Sequence, residues 1–161
     1  MIRSALVAGF TISTLMSGVA AAQELSVAGT WYTPSEKSAI TIEDCGDGTP
    51  CGFVSFTNPD PGDPLVNDIN NPDPDLQGRP VLGMPLMWSF SPMSRRDGWK
   101  RGKIYDPTSG RVYGSSIEVT EDDQLKVKGC FGPFCQTQYW KRVPADLVLA
   151  SSHTDLSTLN E

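Results

Sequence analysis

Histidine is nearly missing from this chain: its 161 residues include one, His153, close to the C-terminus. A Ser-His-Asp or Cys-His catalytic arrangement therefore has no histidine in the body of the protein to build on. H-E-x-x-H, a phosphate-cradling glycine loop and a redox-type C-x-x-C pair are absent as well. No stretch before the tail sustains a helical period, and beyond the N-terminus no apolar run approaches the ~20 residues that cross a bilayer. Positive charge is scarce, with 13 Lys and Arg against 19 Asp and Glu and a formal net charge of −6. Such a chain as a whole repels phosphate backbones and anionic surfaces, so nucleic acid is not an expected partner.

What is present speaks first of location. Met1-Ile2-Arg3 forms a short positive start, Ala5 to Ala20 is a nearly unbroken run of apolar and small residues, and Ala20-Ala21-Ala22 offers a small-x-small cleavage site. Residues 1–22 read as a signal peptide cut near Ala22, with no cysteine at the cut for lipid attachment. The expected product is periplasmic or secreted, with one domain over 23–143 and a flexible tail over 144–161.

The four cysteines agree with export. Cys45 and Cys51 enclose Gly46-Asp47-Gly48-Thr49-Pro50, and Cys130 and Cys135 enclose Phe131-Gly132-Pro133-Phe134. A four-cysteine zinc site pairs its ligands as C-x(2–4)-C, a spacing that only the second pair meets. Four cysteines allow three connectivities. The one in which each pair closes its own hairpin, Cys45–Cys51 and Cys130–Cys135, is expected.

Short apolar-aromatic runs alternate with clusters of Gly, Pro, Asp, Asn and Ser. Eight strands are expected, at about 28–33, 38–44, 51–57, 84–91, 99–105, 111–120, 124–130 and 135–142. Alternation puts Met84, Leu86, Trp88 and Phe90 on one face, Leu125 and Val127 on another, and Tyr113, Ile117 and Val119 on a third. Strands joined by tight turns pair with their sequence neighbours. The expected fold is therefore all-β, an eight-stranded up-and-down antiparallel barrel whose closure removes its edges. One connection is long: Asn58 to Pro80 carries six prolines and five aspartates. It is expected to act either as a lid over the barrel mouth or as a rigid strap. Asp60, Asp63, Asp68, Asp73 and Asp75 lack the EF-hand order of ligands, so no metal is expected.

Gly29-Thr30-Trp31 near the start and Trp140-Lys141-Arg142 near the end resemble the G-x-W and terminal arginine of lipocalin and wider calycin barrels. There the tryptophan plugs the closed end and the arginine stacks across it, which assigns structural roles to Trp31 and Arg142. Three blocks carry a second resemblance: Asn71-Pro72-Asp73-Pro74 with Leu76 and Arg79-Pro80; Trp99 with Gly102-Lys103-Ile104-Tyr105-Asp106-Pro107, Gly110 and Tyr113; and Gly129-Cys130-x-Gly132-x-Phe134-Cys135 with Gln138 and Trp140. Together they resemble the exported bacterial family catalogued as domain of unknown function 2147. The departures are small, with Gln77-Gly78 and Lys100-Arg101 at positions where the family more often has other residues. The resemblance implies a lipocalin-like barrel and export, and no catalytic activity or cofactor.

The candidate ligand-binding residues are Asn71, Asp73 and Arg79 on the long connection and Trp88, Trp99, Tyr105 and Tyr113 on the strands. Asp73 is expected to bridge Arg79. Arg101 and Lys103, sharing an alternation face with Trp99 and Tyr105, select an anionic ligand if they point inward and are ordinary solvated charges if outward. The leading reading is a non-catalytic exported barrel that binds a small, partly apolar molecule. The alternatives are an envelope interaction protein with a filled barrel, and a hydrolase using carboxylates such as Asp73 and Asp106. No catalytic residue is assigned, and nothing in the sequence fixes an oligomeric state. A peptide map of the non-reduced protein is expected to yield only the two within-hairpin disulfides; a fragment linking Cys45 to Cys130 or Cys135 overturns that pairing.

Overall fold

A computed structural model describes residues 27–61, 66–94 and 98–147. The expected signal peptide and His153 lie outside these residues, as does all of the expected tail except 144–147. Among the described residues nine strands are present: β1 (Gly29–Tyr32), β2 (Ser38–Asp44), β3 (Pro50–Thr57), β4 (Pro85–Trp88), β5 (Ser91–Pro92), β6 (Gly98–Asp106), β7 (Arg111–Val119), β8 (Gln124–Phe131) and β9 (Phe134–Arg142). All pair antiparallel in the order β4-β3-β2-β1-β9-β8-β7-β6-β5, and β4 also pairs with β6 and closes the ring. Because β4 and β5 meet β6 in one continuous register, they are two halves of a single staved position, and the barrel has eight staves.

The break between those halves corrects the single strand expected over 84–91. Ser89 sits in the left-handed region at φ 59°, and across the break in β6 Arg101 does the same at φ 59°. Phe90 fills the reason for the break: its ring lies so close over Gly102 that a Cβ there would stand 2.2 Å from it. The chain turns at Ser89 to bury Phe90, and β6 answers with a bulge between Trp99 and Gly102 in its pairing with β7.

The inner face follows the alternation of the sequence in β7 and β8, whereas in β4 Met87 turns inward opposite Ile104 and Trp88, expected on the face of Leu86 and Phe90, pairs with the exposed Lys103. Trp31, Ile40, Ile42, Val54, Met87, Ile117, Leu125, Val127 and Trp140 are buried and form one cluster with Val27, Phe90 and Met84. Met87 joins them because Gly52 opposite leaves it room: a Cβ on Gly52 would lie 3.2 Å from Met87.

One end of the barrel is sealed. Trp31 is fully buried, and its Nε1 donates to the Val27 carbonyl at 3.0 Å. The Arg142 guanidinium lies 3.9 Å from the Trp31 ring centroid, donates through Nη1 to the Ala28 carbonyl at 3.1 Å, and reaches the Asp123 carboxylate through Nε at 2.9 Å. Gly29, at φ 126°, has to be glycine here, since a Cβ would stand 2.7 Å from that Nη1. The same arginine holds the Asp123 carboxyl below the usual carboxylate range by hydrogen bonding.

Both disulfides close within their own hairpins, Cys45–Cys51 at the sealed end and Cys130–Cys135 at the open end. They are compatible with an oxidising compartment. Arg142→Ala removes the cation–π contact and the bond to Ala28 and is expected to lower stability by about 2 kcal/mol. Urea unfolding of the variant beside the parent checks this, and an unchanged midpoint overturns it.

Candidate functional site

The open end is formed by the β1–β2, β6–β7 and β8–β9 turns together with the long β3–β4 connection. Inside it lies a cavity of ≈ 460 Å3. Ile40, Val54, Leu86, Ile104 and Val127 supply its apolar walls and Trp140 lies toward its floor, while Phe131 and Phe134 stand at its rim. Polar contributions come from Thr33, Ser38, Tyr113, Gln136 and Gln138. The strand period explains this set. Val127 pairs with Gln138 and Gly129 with Gln136, so the two amides share the inner face of β8–β9 with Val127 and Trp140. Trp140 Nε1 donates to Gln138 Oε1 at 2.8 Å and fixes that amide's orientation. Deeper in the interior, Ser115 Oγ is buried without a hydrogen-bond partner. Among the described residues lysine and arginine contribute nothing to the lining, and Asp106 is its one acidic residue.

The β3–β4 connection does not hang free. Its two arms are laced together by an Asn67–Pro80 bridge and by bonds from the Asp68 N–H to the Arg79 carbonyl (3.0 Å) and from the Val81 N–H to the Val66 carbonyl (3.0 Å). Asn70 Nδ2 donates to the carbonyls of Pro107 and Thr108, at 3.2 and 3.0 Å, and so ties the connection to the β6–β7 turn. Gly110 makes this approach possible, because a Cβ there would meet the Asn70 carbonyl oxygen at 1.9 Å.

Beneath the connection sits a buried polar cluster. Asp68 is fully buried; its Oδ1 accepts from the Tyr105 hydroxyl at 2.5 Å. Its Oδ2 accepts from Asn71 Nδ2 (2.7 Å), Arg79 Nε (3.0 Å) and Arg79 Nη2 (2.8 Å). Asn71 also donates to the Tyr105 hydroxyl at 3.3 Å, and the Arg79 guanidinium lies 6.0 Å from the Tyr105 ring. A buried carboxylate persists only when its lone pairs are satisfied and its charge is paired, and both conditions are met. Burial first, then the bond to Asp68 and that residue's charge, push the Tyr105 hydroxyl up to about 12, against a smaller opposing pull from Arg79. A phenol held neutral and donating to a carboxylate is a fastener rather than a nucleophile.

The seven residues anticipated from sequence divide among different places. Tyr113 lines the cavity, and Tyr105 borders it as well. Asn71, Arg79, Trp88 and Tyr105 surround a shallower groove on the outside of the barrel with Pro72, Pro85, Gly110 and Val112. Asp73 does not bridge Arg79; Asp68 does. Asp73 instead caps the 3-10 turn Pro74–Leu76, accepting from the Asp75 N–H at 3.0 Å. Trp99 and Tyr105 do not share a face, because the bulge in β6 shifts the phase between them: Trp99 pairs with the buried Ile117, Tyr105 with the exposed Val112. Arg101 and Lys103 are exposed and absent from the lining. Asp106 holds its own turn, accepting from the Thr108 N–H and the Ser109 hydroxyl. Among the described residues no group of three or more His, Cys, Asp or Glu is placed to hold a metal ion.

Comparison with known proteins gives two findings. A family model described as "Uncharacterized protein conserved in bacteria (DUF2147)" matches residues 29–142. Among solved structures, protein HP1028 from Helicobacter pylori, described as belonging to the lipocalin family, is similar with a TM-score of 0.66 at 20% identity, over 79% of this chain and 88% of that one. That likeness is one of fold. No curated protein matches the chain.

Because the fold favours the neutral Tyr105 phenol, this residue contributes stability below its ordinary value of 10.0, and that stability is lost as pH rises through about 12. Absorbance titration of the parent against Tyr105→Phe is expected to show one phenol ionising after the rest. Asp68→Asn is expected to bring that phenol only part of the way down, since burial is the larger cause; a complete return to the ordinary value overturns this account.

Proposed function

The chain belongs to the DUF2147 family, and we propose that it is a non-catalytic, exported barrel that holds one small, uncharged, partly apolar molecule in its open end. The observation that carries this reading is the cavity of ≈ 460 Å3. It falls within the ~300–1,000 Å3 typical of small-molecule sites, which are largely apolar with a few placed polar groups. Burial of the ligand's apolar part against Ile40, Val54, Leu86 and Val127 supplies affinity, at roughly 25 cal/mol per Å2 of apolar surface. The amides of Gln136 and Gln138 supply direction. Because no cationic side chain among the described residues lines the site, an anionic ligand finds no counter-ion among them. Export is supported by the two disulfides.

The interaction-protein reading takes the barrel as filled and the long acidic connection as its working surface, and a cavity of ≈ 460 Å3 speaks against a filled barrel. The buried Asp68–Arg79–Tyr105 cluster favours a strap instead. Hydrolysis by Asp73 and Asp106 fares no better, since each carboxylate is occupied in capping its own turn.

Native mass spectrometry on protein taken from its own host's exported fraction is expected to show a discrete mass excess that disappears on denaturation. Val127→Phe, which fills the cavity, is expected to lose that excess while keeping the parent's circular dichroism. A parent of bare polypeptide mass, or a variant that retains the excess, overturns the reading.

A further inference from the structure

The rim of the cavity carries an exposed apolar group that ligand binding inside the barrel does not require. Phe131 is 58% exposed and Phe134 79% exposed, at the tip of the β8–β9 hairpin. Their exposure is built rather than incidental. Gly132 takes φ 58° to make the turn, and the Cys130–Cys135 disulfide clamps the hairpin immediately behind the two rings. Phe131 is braced edge-on by Tyr113 at 6.2 Å between centroids. A solvated loop would hide or lose such side chains; this one is stapled so as to present them.

The β8–β9 hairpin as a whole departs in charge from the rest of the molecule. In a chain of net charge −6, residues 124–143 contain no Asp or Glu and four cations, Lys126, Lys128, Lys141 and Arg142. Lys126, Lys141 and Arg142 pair with acids on neighbouring segments. Lys128 and Arg111, both exposed, are in no ion pair among the described residues. Arg111 lies 5.8 Å from the Phe131 ring, on the adjoining strand. The acidic β3–β4 connection springs from the opposite side of the ring of staves, and Asn70 ties it to the β6–β7 turn beside Arg111, whose cross-strand partner is Asp106. Two projecting aromatic rings flanked by cations match the chemistry of a lipid headgroup layer. Aromatic rings settle at that boundary, and Lys or Arg reaches phosphate while its stem lies on apolar surface.

We propose that the β8–β9 tip is a membrane-docking element, on which Phe131 and Phe134 enter the headgroup region of a phospholipid surface while Arg111 and Lys128 meet its phosphates. Docking sets the open end of the barrel against the bilayer, so that a partly apolar ligand passes between lipid and cavity with little exposure to water. Docking itself does not depend on what the cavity holds.

The test is flotation of the mature, oxidised protein with vesicles of phosphatidylcholine containing about one-fifth phosphatidylglycerol, a composition that presents both headgroup types. The parent is expected to float with the vesicles, less so as salt is raised. Phe131→Ser/Phe134→Ser is expected to bind about tenfold more weakly. Phe134→Ser alone, a change at a side chain with little packing to lose, is expected to weaken binding in the same direction. Phe134→Trp gives a direct readout, with fluorescence quenched by brominated lipid. A parent that stays with the soluble fraction, serine variants that float as well as the parent, or a tryptophan that brominated lipid leaves unquenched overturns the proposal. Val127→Phe separates this proposal from the ligand reading: it blocks the cavity and is expected to float like the parent.

Discussion

The stacking of Arg142 on Trp31 is the contact on which the barrel's closure depends. The seam between β1 and β9 consists of two residue pairs, one of which is Trp31 with Arg142 itself. A seam so short has few ladder hydrogen bonds to hold it. The guanidinium compensates by gripping several things at once: the indole face, the Ala28 carbonyl before β1 and the Asp123 carboxylate in the β7–β8 turn. First and last strands are thereby joined at the sealed end, and Trp31 becomes the plug around which Ile42, Leu125 and Trp140 pack. With that end sealed, packing can stop short of the other, and the open end is where the cavity lies.

A second constraint acts at the open end and outside the wall. The β3–β4 connection is held by a carboxylate that water does not reach, and Tyr105 is what the carboxylate holds on to from the barrel. Tyr105 and Ile104 are neighbours on β6 and both border the cavity, but it is the Tyr105 hydroxyl that reaches the strap. The bulge between Trp99 and Gly102 sets that phase. Without the extra residue in β6, Tyr105 would take the other face and the strap would have no anchor.

Much of this was legible in the sequence, and the reasons are local. Strand positions follow from alternation and turn chemistry, disulfide pairing from hairpin geometry, and the sealed end from Gly29-Thr30-Trp31 and Arg142. What escaped depends on choices made in three dimensions. Asp68 is one of five aspartates in a proline-rich segment, and spacing does not reveal which of them Arg79 selects. Trp99 and Tyr105 share a parity in sequence, but the bulge, enforced by Phe90 over Gly102, separates them. Gln136 and Gln138 were within reach, because their alternation with Trp140 and against Val127 places them on the inner face. The cavity was not: whether eight staves enclose space depends on the summed volume of inward side chains, to which no single residue testifies.

The two disulfides join cysteines six and five positions apart, whereas every alternative pairing spans most of the domain. Thiols so near each other along a flexible chain meet far more often than distant ones. For this protein the right partner is also the first partner encountered, before any barrel exists to guide the choice. A chain emerging unfolded into an oxidising space can therefore close its staples in either order, and the error-correcting exchange that long-range disulfides demand has little to correct.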